Sequence, residues 1–169
     1  MSVADVLADA FGRVRDVVHG AVDGLSAEEL SYRVDPGANS IAWLVWHLAR
    51  VQDDHIADVA ETGQIWTDGG WVDRFGLPFD PSDTGYGHTT DQVGEVRAVS
   101  AELLTDYYDA VHDRTVKYVA GLTDADLPRI VDEGWDPPVT LGVRLVSVIS
   151  DGLQHAGQAA FVRGVRSRG

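Results

Sequence analysis

Four long stretches of this chain place apolar residues three and four positions apart, and none sustains an alternation of two. Such spacing lines one face of a helix and scatters across both faces of a strand. The chain is therefore committed to amphipathic helices that bury their apolar stripes against one another, with little or no sheet. The first stretch runs from about Val3 to Gly24, with Leu7, Phe11, Val14, Val17, Val18 and Ala21 on its stripe. "SAEEL" follows, where Ser26 and Glu29 have the spacing of a capping box that starts a short turn. The second helix begins after Asn39 or Ser40, carries Ile41, Leu44, Leu48, Val51 and Val59, and stops near Gly63. The third starts at "TTDQ", with Thr89 and Gln92 again at capping-box spacing, and runs to about Gly121. The fourth starts after "WDPPVT" with Thr140 as N-cap and ends near Gly164.

Between helices two and three lie the 25 residues "QIWTDGGWVDRFGLPFDPSDTGYGH". Connections of that length are functional or act as crossovers. A helix of about 21 residues is roughly 32 Å long, and this segment can span it. Helices two and three need not be antiparallel neighbours. The expectation is one all-α domain over residues 1–169, a four-helix bundle with one long crossover. No internal repeat or linker divides it, and 169 residues suffice to bury a core.

The formal charge of −14 repels phosphate backbones and anionic lipid, which argues against nucleic-acid and membrane-surface roles. The opening residues "MSVADVLADAFGRVRD" lack the basic start and unbroken apolar run of a signal peptide. "IAWLVW" is far too short to cross a bilayer, so a cytoplasmic location is expected. There is no cysteine, which excludes a thiolate nucleophile and thiolate ligands from the chain itself. Any metal must be held by His, Asp or Glu. G-x-S-x-G, Walker A, G-x-G-x-x-G and H-E-x-x-H patterns are all absent.

One constellation remains. Asp151 and His155 are one turn apart on the fourth helix, among Val148, Gly152, Ala159 and Val162. A carboxylate on an apolar face needs a partner. His47 lies on the second helix between Leu44, Leu48 and Val51, with Trp43 and Trp46 beside it. Helices two and four packed together would bring two imidazoles and one carboxylate to one place, a set that leaves coordination positions open on a divalent ion. The same residues also read as a buried polar pair beside a satisfied core histidine, with Asp151 bonded to His155, Arg144 or Arg163. His55, about 80° round the helix from His47, falls at the rim of any shared site. His19 and His112 read as helix-surface groups, and His88 as support for the start of helix three. Trp66, Trp71 and Trp135, in connecting segments, are candidates to wall a pocket.

Three stretches, "NSIAWLVWHLARVQDDHI", "FGLPFDPSDTGYGHT" and "WDPPVTLGVRLVSVISDGLQHAGQAAFVRG", resemble the DinB-like (YfiT-like) family of metal-binding four-helix bundles, in its actinobacterial, mycothiol-transferase-like branch. The abundance of Arg, with Lys117 the only lysine, accords with a high-GC genome. The resemblance implies a homodimer and a divalent metal, zinc first, with nickel, manganese or iron as alternatives. The implied ligands are His47, Asp151 and His155. Many relatives carry His where this chain has Asp151, and the carboxylate lowers the site's positive charge. Gln158 matches the family's helix-four pattern as an outer partner. Arg163 is implied either as an anion holder or as an ordinary ion-pair partner. The implied activity is an S-transferase that joins a low-molecular-weight thiol to an electrophilic small molecule in detoxification or stress. A metal-dependent hydrolase or isomerase, or a non-catalytic ligand-binding bundle, are the alternatives.

Overall fold

A computed structural model describes residues 1–168. The elements are α1 (Val3–Val22), α2 (Ala27–Leu30), α3 (Ile41–Ala60), α4 (Ile65–Asp68), α5 (Trp71–Phe75), α6 (Thr90–Glu95), α7 (Ala101–Val119), β1 (Ile130–Asp132), β2 (Val139–Thr140) and α8 (Leu141–Arg166). The expected all-α bundle is present. α1 packs against α7 and α8, α3 packs against the same two, and α1 hardly touches α3. Cross-helix bonds give the directions. Gln52 bonds Thr115 and Val59 bonds Tyr118, so α3 and α7 run parallel. His47 lies by His155 and His55 by Arg144, so α3 and α8 run antiparallel. Parallel neighbours require a connection as long as the helices, which is what residues 61–100 supply.

Serine and threonine caps start every long helix. Ser2, Ser40, Ser100 and Thr140 each accept the backbone N–H of the third residue of the following helix. The capping boxes at Ser26 and Thr89 form as their spacing predicts. The expected continuous third helix does not form. It is broken after Glu95 and restarts at Ala101, with Ala98 at φ 57° between. Gly94 weakens the helix interior and Ser100 offers a second N-cap. The break lets Val93, Val96 and Val99 all enter the core, whereas a continuous helix would swing Val99 about 120° away from Val93. Helix α3 also ends earlier than expected, at Ala60, with Glu61 rather than Gly63 taking the left-handed position.

The first ten residues of α3 are buried on every side, because the crossover wraps the face that α7 and α8 leave open. Trp66 and Trp71, expected to wall a pocket, instead plug the core around Tyr107 and Phe75. They sit in the first turns of α4 and α5, and core burial of such large apolar area outweighs pocket lining. Trp135 is exposed on the β1–β2 hairpin and lines no site. A latch of charges ties the crossover down. Asp53, buried in α3, accepts from the N–H groups of Ile65 and Trp66 and from the Tyr107 hydroxyl at 2.7–2.9 Å. Arg50, fully buried beside it, donates to Gln64 and to the carbonyls of Asp83 and Pro81.

Candidate metal centre

The antiparallel packing of α3 on α8 brings His47, Asp151 and His155 together. Each offers one ligand atom, and these atoms all lie within 4.8 Å of one another. Neither Arg144 nor Arg163 is the partner of Asp151. Arg163 donates through Nη1 to the carbonyls of Ala21 and Asp23, closing the C-terminus of α1, and among the described residues it makes no ion pair. Its position one turn past Ala159 carries it beyond the site.

Hydrogen bonds fix the tautomer of each imidazole. A carbonyl only accepts, so the contact of 2.5 Å between His47 Nδ1 and the Thr84 oxygen places the proton on Nδ1 and leaves the Nε2 lone pair free. Gly85, at φ +90°, makes that contact possible, since a Cβ there would come within 2.9 Å of His47 Nδ1 and of the Trp46 ring. His155 Nδ1 donates to the Gln158 amide oxygen at 2.9 Å. Its Nε2 then faces Asp151 Oδ1 at 3.4 Å. A lone pair and a carboxylate repel unless a proton or a cation lies between them. The second oxygen, Oδ2, is buried with no hydrogen-bond partner. Orphaned buried carboxylate oxygens are rare, and a cation satisfies both atoms at once. The donor set therefore fits a divalent ion. Gln158 sits where an outer partner of His155 belongs.

The two imidazoles of the metal-free site shift in opposite senses. Burial pushes His47 below the usual histidine range, keeping it neutral and able to coordinate. His155 is raised, first by its bond to Asp151. Trp43 stacks on His47, ring centroids 4.6 Å apart and 14° from parallel, and meets His155 edge-on.

The crossover loop is held over the site by a chain the sequence reading missed. Trp43 Nε1 donates to His88 Nδ1, and His88 Nε2 donates to Asp83. Asp83 accepts from the Gly85 N–H. His88 does not cap the helix that follows. Its side chain is 3% exposed, packed on Trp46 and Phe79, because an imidazole with a donor and an acceptor can bridge an indole and a carboxylate. His19 and His112 are half-buried helix-surface groups of α1 and α7, with His19 bonded to Asp109.

A cavity of about 290 Å³ opens beside the centre. Its walls are His47, Val51, Asp54 and His55 of α3, Thr84 and Tyr86 of the loop, and Asp151 of α8. His55 thus reaches the site, half-buried rather than at a solvent rim. A larger surface hollow at Glu28, Tyr32 and Arg166 holds no converging ligand set. Among the described residues, no helix is long and apolar enough to cross a membrane.

The profile of the DinB superfamily matches residues 10–159. Among solved structures, a conserved protein from Enterococcus faecalis superposes with a TM-score of 0.90 at 29% identity, covering 96% of each chain. A DinB-like protein from Bacillus cereus superposes with a TM-score of 0.60 at 20% identity, over 95% of this chain and 91% of that one, which speaks to the fold alone. No curated protein matches the sequence significantly.

Proposed function

The chain belongs to the DinB superfamily, which includes metal-dependent enzymes, and from that premise we propose that it is a divalent-metal-dependent S-transferase joining a low-molecular-weight thiol of the mycothiol type to an electrophilic small molecule. The observation that carries this reading is the convergence of His47, Asp151 and His155 beside an open cavity that His47 and Asp151 line, with one oxygen of Asp151 lacking a partner. Three protein donors leave room for a substrate atom, unlike a closed structural site. When bound, a divalent cation supplies Lewis acidity, lowering the pKa of a thiol or water that it holds.

The chain's own residues do the rest. His47, locked by Thr84, and His155, locked by Gln158, present lone pairs without having to reorganise. Asp151 supplies one negative charge, so a dication there retains a net charge of about +1. Two nitrogens and one oxygen suit zinc first, then nickel, manganese or iron. With no cysteine in the chain, the sulfur nucleophile must enter with the cosubstrate. Tyr86, at the cavity mouth between two glycines of positive φ, faces what enters. A cytoplasmic location, where such thiols are kept reduced, belongs to this reading.

Pairing of two copies is also part of it. Val143, Val146, Leu153 and Phe161 are 41–65% exposed and form one stripe down the face of α8 opposite the core.

The test is metal content by mass spectrometry of untagged protein and of a His47→Ala, His155→Ala double variant, followed by electrophile conversion with and without added thiol. Near one metal per parent chain, lost in the variant, with conversion that requires thiol, supports the reading. A parent that stays empty after reconstitution with all four metals refutes it. Conversion that ignores thiol would instead point to water activation at the same centre.

A further inference from the structure

His55 is the one cavity imidazole that the metal reading does not use. Its Nδ1 lies 3.0 Å from Arg144 Nη1. A guanidinium can only donate, so Nδ1 must carry the lone pair and the ring proton must sit on Nε2. That nitrogen has no partner among the described residues, on a ring that lines the cavity beside His47 and Asp151. Arg144 is itself held. Its Nη2 donates to Asp132 Oδ2 at 2.8 Å, and Asp132 Oδ1 accepts from the Gly134 N–H at 2.9 Å. The small hairpin thereby steers α8, and α8 steers the imidazole on α3. Burial and the Arg144 charge both push His55 below the usual histidine range, consistent with a ring that stays neutral.

We propose that His55 is a fixed hydrogen-bond donor of the cavity, its Nε2–H meeting a carbonyl or anionic oxygen of the small molecule bound beside the metal centre, with Arg144 as the positioning residue that sets the tautomer. The assignment rests on the metal reading above for the place of the ligand, while the tautomer stands on the Arg144 contact alone. It narrows the substrate class. The electrophile carries an accepting atom within reach of both the centre and His55, and groups that only donate are disfavoured there.

Two measurements test it. The first is the ¹⁵N shift pattern of the His55 ring in the parent and in Arg144→Met. The expected result is a single Nε2–H tautomer in the parent and a mixture in the variant. An Nδ1–H tautomer in the parent overturns the proposal whatever the metal does. The second is azide titration of the cobalt(II)-loaded chain, followed by the visible bands of the metal. His55→Phe should weaken azide by roughly 10-fold to 100-fold, the loss of one donor to an anion, and His55→Gln should recover part of it. Cobalt bands with unchanged azide affinity in His55→Phe overturn the donor role and leave the metal centre standing. A parent that takes up no cobalt removes the metal reading, and the ligand placement with it.

Discussion

Nε2 of His155 lies 3.4 Å from Oδ1 of Asp151, one helical turn back on α8, while Oδ2 of the same carboxylate is buried without a partner. One side chain thus has one oxygen weakly engaged and the other not at all. Asp151→Asn keeps the shape and removes the charge. It should weaken divalent-metal binding by more than the roughly 10-fold to 100-fold expected for Gln158→Leu, which removes only the outer partner of His155. Competition against a chromogenic chelator measures both. Equal affinities in parent and Asp151→Asn would show that the carboxylate is not a ligand.

Gly85 lets the crossover loop approach the centre. Gly85→Ala would face a φ of +90° and contacts of 2.9 Å with His47 Nδ1 and the Trp46 ring. The strain should cost about 2 kcal/mol or more, lowering Tm by roughly 4–8 °C in a chain of this size. It should also release the Thr84 bond to His47 and lower metal affinity. A melt unchanged from the parent would show that the loop relaxes freely.

The bundle and the residues that make up its candidate site were legible because both follow from helical period. Asp151 and His155 share a face by spacing alone, and His47 stands out as a titratable group on a buried stripe. What joins α3 to the crossover was not legible. The bonds of His88 to Trp43 and Asp83, and of His47 to Thr84, span chain separations that no periodicity encodes. The break before α7 was missed for a different reason. "TDQVGEVRAVSAEL" reads as continuous helix, and the weak signals of Gly94 and Ser100 take effect because the break lets three valines be buried. The bonds of Arg163 to the end of α1 were not legible either, because the sequence does not name that neighbour.

Acidification should destabilise the metal-free protein partly through His47. Burial holds its folded pKa below the ordinary value of about 6.5, so between the two values the unfolded chain binds the extra proton. Stability therefore falls as pH drops below about 6.5. His155 has the opposite sign. Its raised pKa contributes stability below that value, lost as pH rises through the folded one. In His47→Gln the first contribution is gone. Urea titrations in chelator at about pH 7 and pH 5 should show a smaller loss on acidification in this variant than in the parent. An equal loss would assign the acid sensitivity elsewhere.

The exposed stripe on α8 predicts a reversible pair. Sedimentation should give a particle of about twice the 18.3 kDa chain mass at micromolar concentration. Val146→Asp with Phe161→Asp should return it to one chain with the helical content unchanged, because both side chains point away from the core. A parent that sediments as a single chain would leave the stripe without a partner of its own kind.

The Arg50–Asp53 latch gives the sharpest stability test. Asp53 is 1% exposed and satisfies two N–H groups of α4 and the Tyr107 hydroxyl, while Arg50 lies 3.7 Å away with no access to water. Asp53→Ala strips those donors of their acceptor and leaves a buried guanidinium facing only carbonyls and an amide. Removing one partner of a buried pair costs about 3–5 kcal/mol, far more than the pair is worth against a well-packed apolar replacement. Asp53→Ala should therefore show a large drop in its urea midpoint. Asp53→Ala combined with Arg50→Met should recover a substantial part of it, since the second change removes the stranded charge. The crossover carries Thr84 as well as Trp66, so Asp53→Ala should also weaken metal binding without touching a ligand. If the double variant is no more stable than the single one, the cost lies in the lost α4 and Tyr107 bonds rather than in the uncompensated charge.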